Sequence, residues 1–431
     1  LNEAVSAGDM TGKQRNRLLE EMAGEVAELV LRNNYLQSQA LSVAASQASS
    51  MLEVHARLIR RLERDGELDR EIEFLPGAEE MGERLEAKGR LFTPELAVLI
   101  AYVKIGLFQR LLASDLPDEP FAANELRAYF PTALRERHGG LMPSHRLARE
   151  IVATQVANEM ANRCGMTFAF RLGEETGADD ADIARAYLVA REVYGIRETW
   201  EAIEALDGRV EADIQISMLQ ETRKLVERAA RWLLRNRPRP LDIARDIEHF
   251  AVGVTAFREG LRDLVAASSR GAIDAAADRF VESGVPEGLA AEVACCDDML
   301  SALTVVEVAA SAAIPVETAA SVYFELGEKL DLHWLRDRIA ALPRDNRWQA
   351  LSRAALRDDL YAQLSALTLD SLRLDTGKGA PAGRVDAWLR QNRIPVARCR
   401  QIVGDLMNAG QTDFTMLSVA MGEIRTLRQT D

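Results

Sequence analysis

Leu18, Met22, Val26, Leu29 and Val30 recur three or four residues apart, which lays one apolar stripe along a helix. Thr11 followed by Gln14 supplies a capping-box start for it, each side chain able to satisfy an orphan backbone N–H. The period continues through Leu41, Met51, Leu52, Leu58, Ile59 and Leu62 and ends at Asp65-Gly66, where glycine can adopt the left-handed terminal position. Unbroken, residues 13–65 would make a rod of roughly 80 Å at about 1.5 Å per residue, with Asn33-Asn34 as the expected break. The segment 67–90 is charged and turn-rich, with Pro76-Gly77 and Gly89, and predicts a connection across the surface.

A second strong signal follows. Thr93 is the expected cap, Pro94 the first helical residue, and Glu95 complements the helix dipole. From Leu96 to Ala113 the chain is apolar on nearly all sides except at Lys104, Gln109 and Arg110, which predicts a core helix. Another long helix is expected from Ser144, with the small residues Ala148, Ala157 and Ala161 in its rows that would let a neighbour approach closely. Further helices are predicted near 180–194, 197–206, 210–236, 242–268, 272–283, 287–312, 316–328, 332–341, 346–373, 385–392 and 395–428, the last broken near Gly410. No run of alternating β-branched and aromatic residues occurs, so the fold class is all-α: a long N-terminal helix followed by packed helical subdomains. The prolines of Arg237-Pro238-Arg239-Pro240 and the glycine-rich stretch 376–383 punctuate the chain. They divide it into 1–66, helical subdomains over 67–237 and 238–375, and a linker with C-terminal helices over 376–431.

Charge narrows the function classes. The 67 acidic residues against 53 basic ones give a net charge of −14, which disfavours a nucleic-acid partner. No run of about 18 uninterrupted apolar residues is present, so no membrane-spanning helix is expected. Leu1-Asn2-Glu3-Ala4 has neither a basic n-region nor an apolar h-region and reads as a point inside a longer polypeptide. The scattered cysteines, Cys164, Cys295, Cys296 and Cys399, form no disulfide framework and no C-x-x-C pair, which fits a cytoplasmic setting.

Chemistry is sparse. There is no G-x-G-x-x-G, and Gly377-Lys378-Gly379 lacks the spacing and the Ser/Thr of a phosphate loop. The histidines (His55, His138, His145, His249, His333) have no second histidine at metal-ligand spacing. His145, with Arg149 and Glu150, is the most reactive-looking, but it reads first as a helix-start residue. Cys295-Cys296 reads as packing rather than redox chemistry, because no electropositive neighbour would activate a thiolate. Asp179-Asp180-Asp182 reads as a helix start, and Arg235, Arg237 and Arg239 as a solvated basic boundary. Trp200, Trp232, Trp334, Trp348 and Trp388 read as core anchors. No catalytic, cofactor-binding or metal-binding residue emerges.

Several blocks in order carry a resemblance. They include Arg15-Asn16-Arg17-Leu18-Leu19 with Asn33-Asn34-Tyr35-Leu36-Gln37, Thr93-Pro94-Glu95-Leu96, Tyr129-Phe130-Pro131 and His145-Arg146-Leu147-Ala148-Arg149-Glu150-Ile151. Gly173-Glu174-Glu175-Thr176-Gly177-Ala178, Trp232-Leu233-Leu234-Arg235-Asn236-Arg237 and Leu330-Asp331-Leu332-His333-Trp334-Leu335 continue the series. Together the chain resembles the C-terminal helical region of the large bacterial NAD-specific glutamate dehydrogenases. The resemblance implies a parent enzyme that oxidatively deaminates L-glutamate to 2-oxoglutarate and ammonia with NAD as cofactor. None of that family's catalytic motifs is in this chain. Residues 1–66 would then be the exit helix from a catalytic unit, and the chain itself non-catalytic, with an assembly or regulatory role in a homo-oligomer. The other reading is an independent acidic helical scaffold. Leu29, on the apolar row, and Tyr35, pointing partly elsewhere, are the candidate interface residues with the catalytic unit or another subunit.

Overall fold

The computed structural model describes residues 1–265, 267–344, 346–374 and 381–428. Among the described residues there are 22 α-helices and no strand, so the fold is all-α. The chain forms two compact units, one of Leu1–Tyr187 with Pro238–Ile243, the other of Leu188–Arg237 with Ala244 onward.

The first unit holds α1 (Asn2–Ser6), α2 (Gly12–Ser46), α3 (Leu52–Arg64), α4 (Ala78–Glu86), α5 (Thr93–Ala113), α6 (Ala122–Tyr129), α7 (Thr132–His138), α8 (Ala148–Glu159) and α9 (Phe168–Thr176). The division between the units falls inside α10 (Asp180–Val193). The Thr11–Gln14 box is formed: Thr11 Oγ1 accepts from the Gln14 N–H at 3.3 Å, and the Thr11 N–H donates to Gln14 Oε1 at 2.8 Å. The expected break at Asn33-Asn34 does not occur, because two exposed asparagines cost a helix only about half a kcal/mol each. The helix stops instead at Gln47–Met51. There Ser46 and Ser50 turn their hydroxyls onto the carbonyls of Val43 and Gln47, which competes with helical pairing.

The stretch 67–90 does run over the surface, with more than half of its residues exposed, but it is also tied into the core. Leu68, Leu75 and Met81 are buried with Leu58, Ile59 and Leu62 of α3 in one core, and α4 lies within the segment. Its few core contacts, Leu68, Leu75 and Met81 with Leu85 packed against them, are too irregularly spaced to show a period in the sequence. At α5 the cap sits one residue early: Phe92 occupies it, and its N–H donates to the Glu95 carboxylate at 2.6 Å. By length and composition α5 is apolar enough to cross a bilayer, which corrects the expectation that no segment qualifies. Its inward row, Leu96, Leu99, Ile100, Val103, Leu107 and Leu111, is buried. The helix packs on α2 and on α8, whose small residues Ala153 and Ala157 are buried. That last helix starts at Ala148 rather than Ser144 and ends in a π turn at Met160–Cys164.

The second unit continues with α11 (Ile196–Glu204), α12 (Ala212–Asn236), α13 (Ile243–Leu264), α14 (Ala267–Glu282), α15 (Glu287–Ala294) and α16 (Ala302–Ala312). It closes with α17 (Val316–Lys329), α18 (Leu332–Ala341), α19 (Arg347–Arg373), α20 (Pro381–Gln391), α21 (Arg393–Asn408) and α22 (Phe414–Thr426). The expected single helix 287–312 is interrupted by a 3₁₀ turn at Asp298–Ser301, whose Ser301 hydroxyl bonds to the Asp298 carbonyl. Gly410 ends α21 at φ +72°, as expected. Trp200 and Trp388 are buried, but Trp348 is 74% exposed and anchors nothing. It sits in the first turn of α19, beneath the guanidinium of Arg347. Residues 375–380, most of the expected linker with its Gly377-Lys378-Gly379, lie outside the described residues.

Candidate interface on the second helix

Along α2, Leu18 and Met22 are buried, and so are Ala40 and Val43. Between these two anchors the same apolar row comes to the surface. Val26 and Leu29 are exposed, Val30 is 55% exposed, and Leu31 beside them is 66% exposed. The polar flank is held by α7. Glu21 takes both terminal nitrogens of Arg137 at 2.8 and 3.0 Å, and Glu25 accepts from the Thr132 N–H and hydroxyl at 2.8 Å each. Those hydrogen bonds hold both carboxyls below their ordinary range.

The two candidate residues do not share a face, since six residues place them about 120° apart around the helix. Leu29 belongs to the exposed row. Tyr35 is half-buried: Gln39 Nε2 donates to its hydroxyl at 3.0 Å, and the Arg32 guanidinium lies 5.5 Å from its ring centre. What the arrangement presents is an exposed apolar strip along one helix.

The other candidates resolve into structural roles. His145 Nδ1 accepts from the Leu147 N–H at 3.2 Å, while Arg149 reaches away to the carbonyls of Leu112 and Ser114. Asp179 caps α10 by accepting from the Asp182 N–H at 2.8 Å. Cys295 and Cys296 are buried, and burial pushes both thiols up, away from the reactive thiolate; Cys399 is pushed up to about 11 for the same reason. Arg235 pairs with Asp358 at 3.0 Å and Arg237 with Asp246 at 2.9 Å, so these two of the basic run are engaged within the chain while Arg239 is exposed. Among the described residues no three His, Cys, Asp or Glu side chains are grouped to hold a metal ion.

With no reactive constellation to read, relatives decide the family. Residues 88–426 match the family described as glutamate dehydrogenase, C-terminal. The chain belongs to that family. Residues 1–44 match a second family, the bacterial NAD-glutamate dehydrogenase catalytic domain, and that match ends inside α2. The NAD-specific glutamate dehydrogenases of Pseudomonas aeruginosa, Halomonas elongata and Mycobacterium tuberculosis are 42, 38 and 36% identical to this chain, in each case over 100% of it. It covers 26, 27 and 26% of those proteins, so this glutamate dehydrogenase C-terminal family member spans about a quarter of the relatives' length. The order of short blocks carried that kinship in the sequence.

Proposed function

We propose that this chain is the C-terminal helical region of an NAD-dependent glutamate dehydrogenase, non-catalytic by itself, which supports assembly of the catalytic unit or regulates it. The parent reaction is the oxidative deamination of L-glutamate to 2-oxoglutarate and ammonia with reduction of NAD, in a cytoplasmic homo-oligomer. The observation that carries the reading is on α2. The residues matching the catalytic domain, 1–44, include both the surfaced row Val26, Leu29 and Val30 and Ala40, which is buried in one core with Leu91, Leu96 and Leu99 of the C-terminal match. One helix thus joins catalytic-type sequence to the C-terminal core. An apolar strip of this kind rarely stays bare in a soluble assembly.

Two measurements test it. The 431-residue chain should be strongly helical by circular dichroism, yet show neither glutamate-dependent NAD reduction nor saturable NAD binding at micromolar concentrations. In the full-length enzyme, L29D and Y35D should impair assembly or activity while the C-terminal region stays folded. Saturable NAD binding by the chain refutes the non-catalytic part. Unchanged assembly and activity in both variants refute the contact through α2.

A further inference from the structure

In the first unit the segment 130–146 lines a pocket of about 380 Å³, within the range that takes a metabolite-sized ligand. Leu134 and His138 stand four residues apart and so share one face of α7. The 3₁₀ turn that follows adds Leu141 and the buried Met142, and the chain then brings in His145 and Arg146. Phe130, ahead of α7, meets the His145 ring edge-on with 5.7 Å between ring centres. Leu1 and Asn2, at the start of α1, complete the lining. The wall therefore spans residues matching the catalytic-domain family and residues matching the C-terminal family.

No acidic side chain lines this pocket, and its side chains supply N–H donors that the chain does not use. Of the four arginines in 130–149, three are taken: Arg135 by Glu25, Arg137 by Glu21 and Arg149 by Asp118. Arg146 is the fourth. It is exposed and makes no ion pair among the described residues. His145 Nδ1 accepts from the Leu147 N–H, so the ring proton sits on Nε2 and makes that nitrogen a donor. Asn2 Oδ1 accepts from Arg15 at 3.1 Å, which leaves the amide N–H groups of Asn2 to donate. In a chain of net charge −14, a concave site with an unpaired cation and no acid is where a small anion is drawn. One unpaired guanidinium balances a single negative charge, and its planar fork matches a carboxylate better than a doubly charged phosphate.

We propose that this pocket binds a small monocarboxylate with an apolar body, its carboxylate on Arg146 with the donors of His145 and Asn2, its body against Phe130, Leu134 and Met142. The apolar wall selects for the body and the unpaired donors for the charge, so neither half of the ligand suffices alone.

Calorimetric titration of the 431-residue chain with phenylacetate tests the proposal, with acetate and 2-phenylethanol as controls at matched ionic strength. Phenylacetate should bind saturably and each control at least about tenfold more weakly, since acetate lacks the body and the alcohol lacks the charge. Arg146→Gln should weaken phenylacetate binding about tenfold, as expected for a lost charge-assisted hydrogen bond. Leu141→Asp, which sets a carboxylate in the wall, should abolish it. Both side chains are exposed, so neither change opens the core. The absence of saturable heat with phenylacetate overturns the proposal, and so does affinity unchanged by Arg146→Gln. Binding of 2-phenylethanol as tight as that of phenylacetate also overturns it, since the pocket would then be merely apolar.

Discussion

The α-carbon of Gly253 in α13 faces the branched side chain of Val306 in α16, so closely that a Cβ at 253 would lie 2.7 Å from Cγ2 and 3.0 Å from Cγ1. Valine in a helix has one strongly preferred rotamer and cannot swing aside. Gly253→Ala gains about 1 kcal/mol of helix propensity but overpacks the contact by about 1–3 kcal/mol, so a net loss of stability is expected. Urea unfolding of G253A, V306A and the double variant checks this. The double variant should be more stable than the sum of the singles, because the two changes relieve one another.

Arg185 is buried in the first unit with Asp115 and Glu119 at 2.5 Å and Asp182 at 3.5 Å. Replacing it with methionine strands partly buried carboxylates and should cost about 3–5 kcal/mol. Arg185→Lys keeps the charge but loses the fork that spans several acids, so its thermal midpoint should fall between wild type and R185M.

Lys104 carries a buried ammonium on the apolar helix α5 with no hydrogen-bond partner, and burial lowers its pKa to about 8. The folded protein releases this proton more readily than the unfolded chain, whose lysine titrates near 10.5. Stability therefore rises as pH climbs from about 8 towards 10.5, and below 8 the cost of the buried charge is fully present. Lys104→Met should raise the thermal midpoint at pH 7 and remove that alkaline gain, as scanning calorimetry across the window would record.

His333 is held below its ordinary pKa chiefly by burial and secondarily by Arg336, with Asp298 and Asp337 pulling the other way. Phe324 stacks on its ring, and its Nε2 and the Tyr323 hydroxyl have no hydrogen-bond partner. The unfolded chain takes up a proton at this histidine first, so stability is complete above about pH 6.5 and falls as pH drops below it. The buried Asp298 carboxyl, raised by desolvation, has the opposite sign: its contribution is present in acid and lost as pH rises through its folded pKa. Comparing wild type with His333→Gln between pH 7.5 and 5 isolates the histidine. The variant's stability curve should be flatter there, and equal slopes would show that the group does not titrate with unfolding.

The helix ends that could be read in the sequence are those fixed locally. The Thr11–Gln14 box, the left-handed Gly410 and the Asp179 cap each depend on atoms within three or four residues. Features set by distant partners were illegible. The burial of Leu68 and Leu75 needs α3 and α5 to be in place, and nothing local distinguishes Trp348 from Trp388. Of the interface, the surfaced row through Leu29 follows from helical period, whereas the hold on Tyr35 by Gln39 and Arg32 required the side chains.

The 35 residues of α2 have a mechanical corollary. A helix of that length is about 52 Å of nearly inextensible rod, and angular phase is conserved along it. One residue inserted near Asn33-Asn34 would twist everything before it by about 100° relative to Ala40 and Val43 and shift it by about 1.5 Å. Seven inserted residues, close to two full turns, would restore the angle to within about 20° while moving the near end by about 10 Å. Whatever seats on Val26, Leu29 and Val30 is therefore clocked, like a splined shaft, to the core that grips the far end.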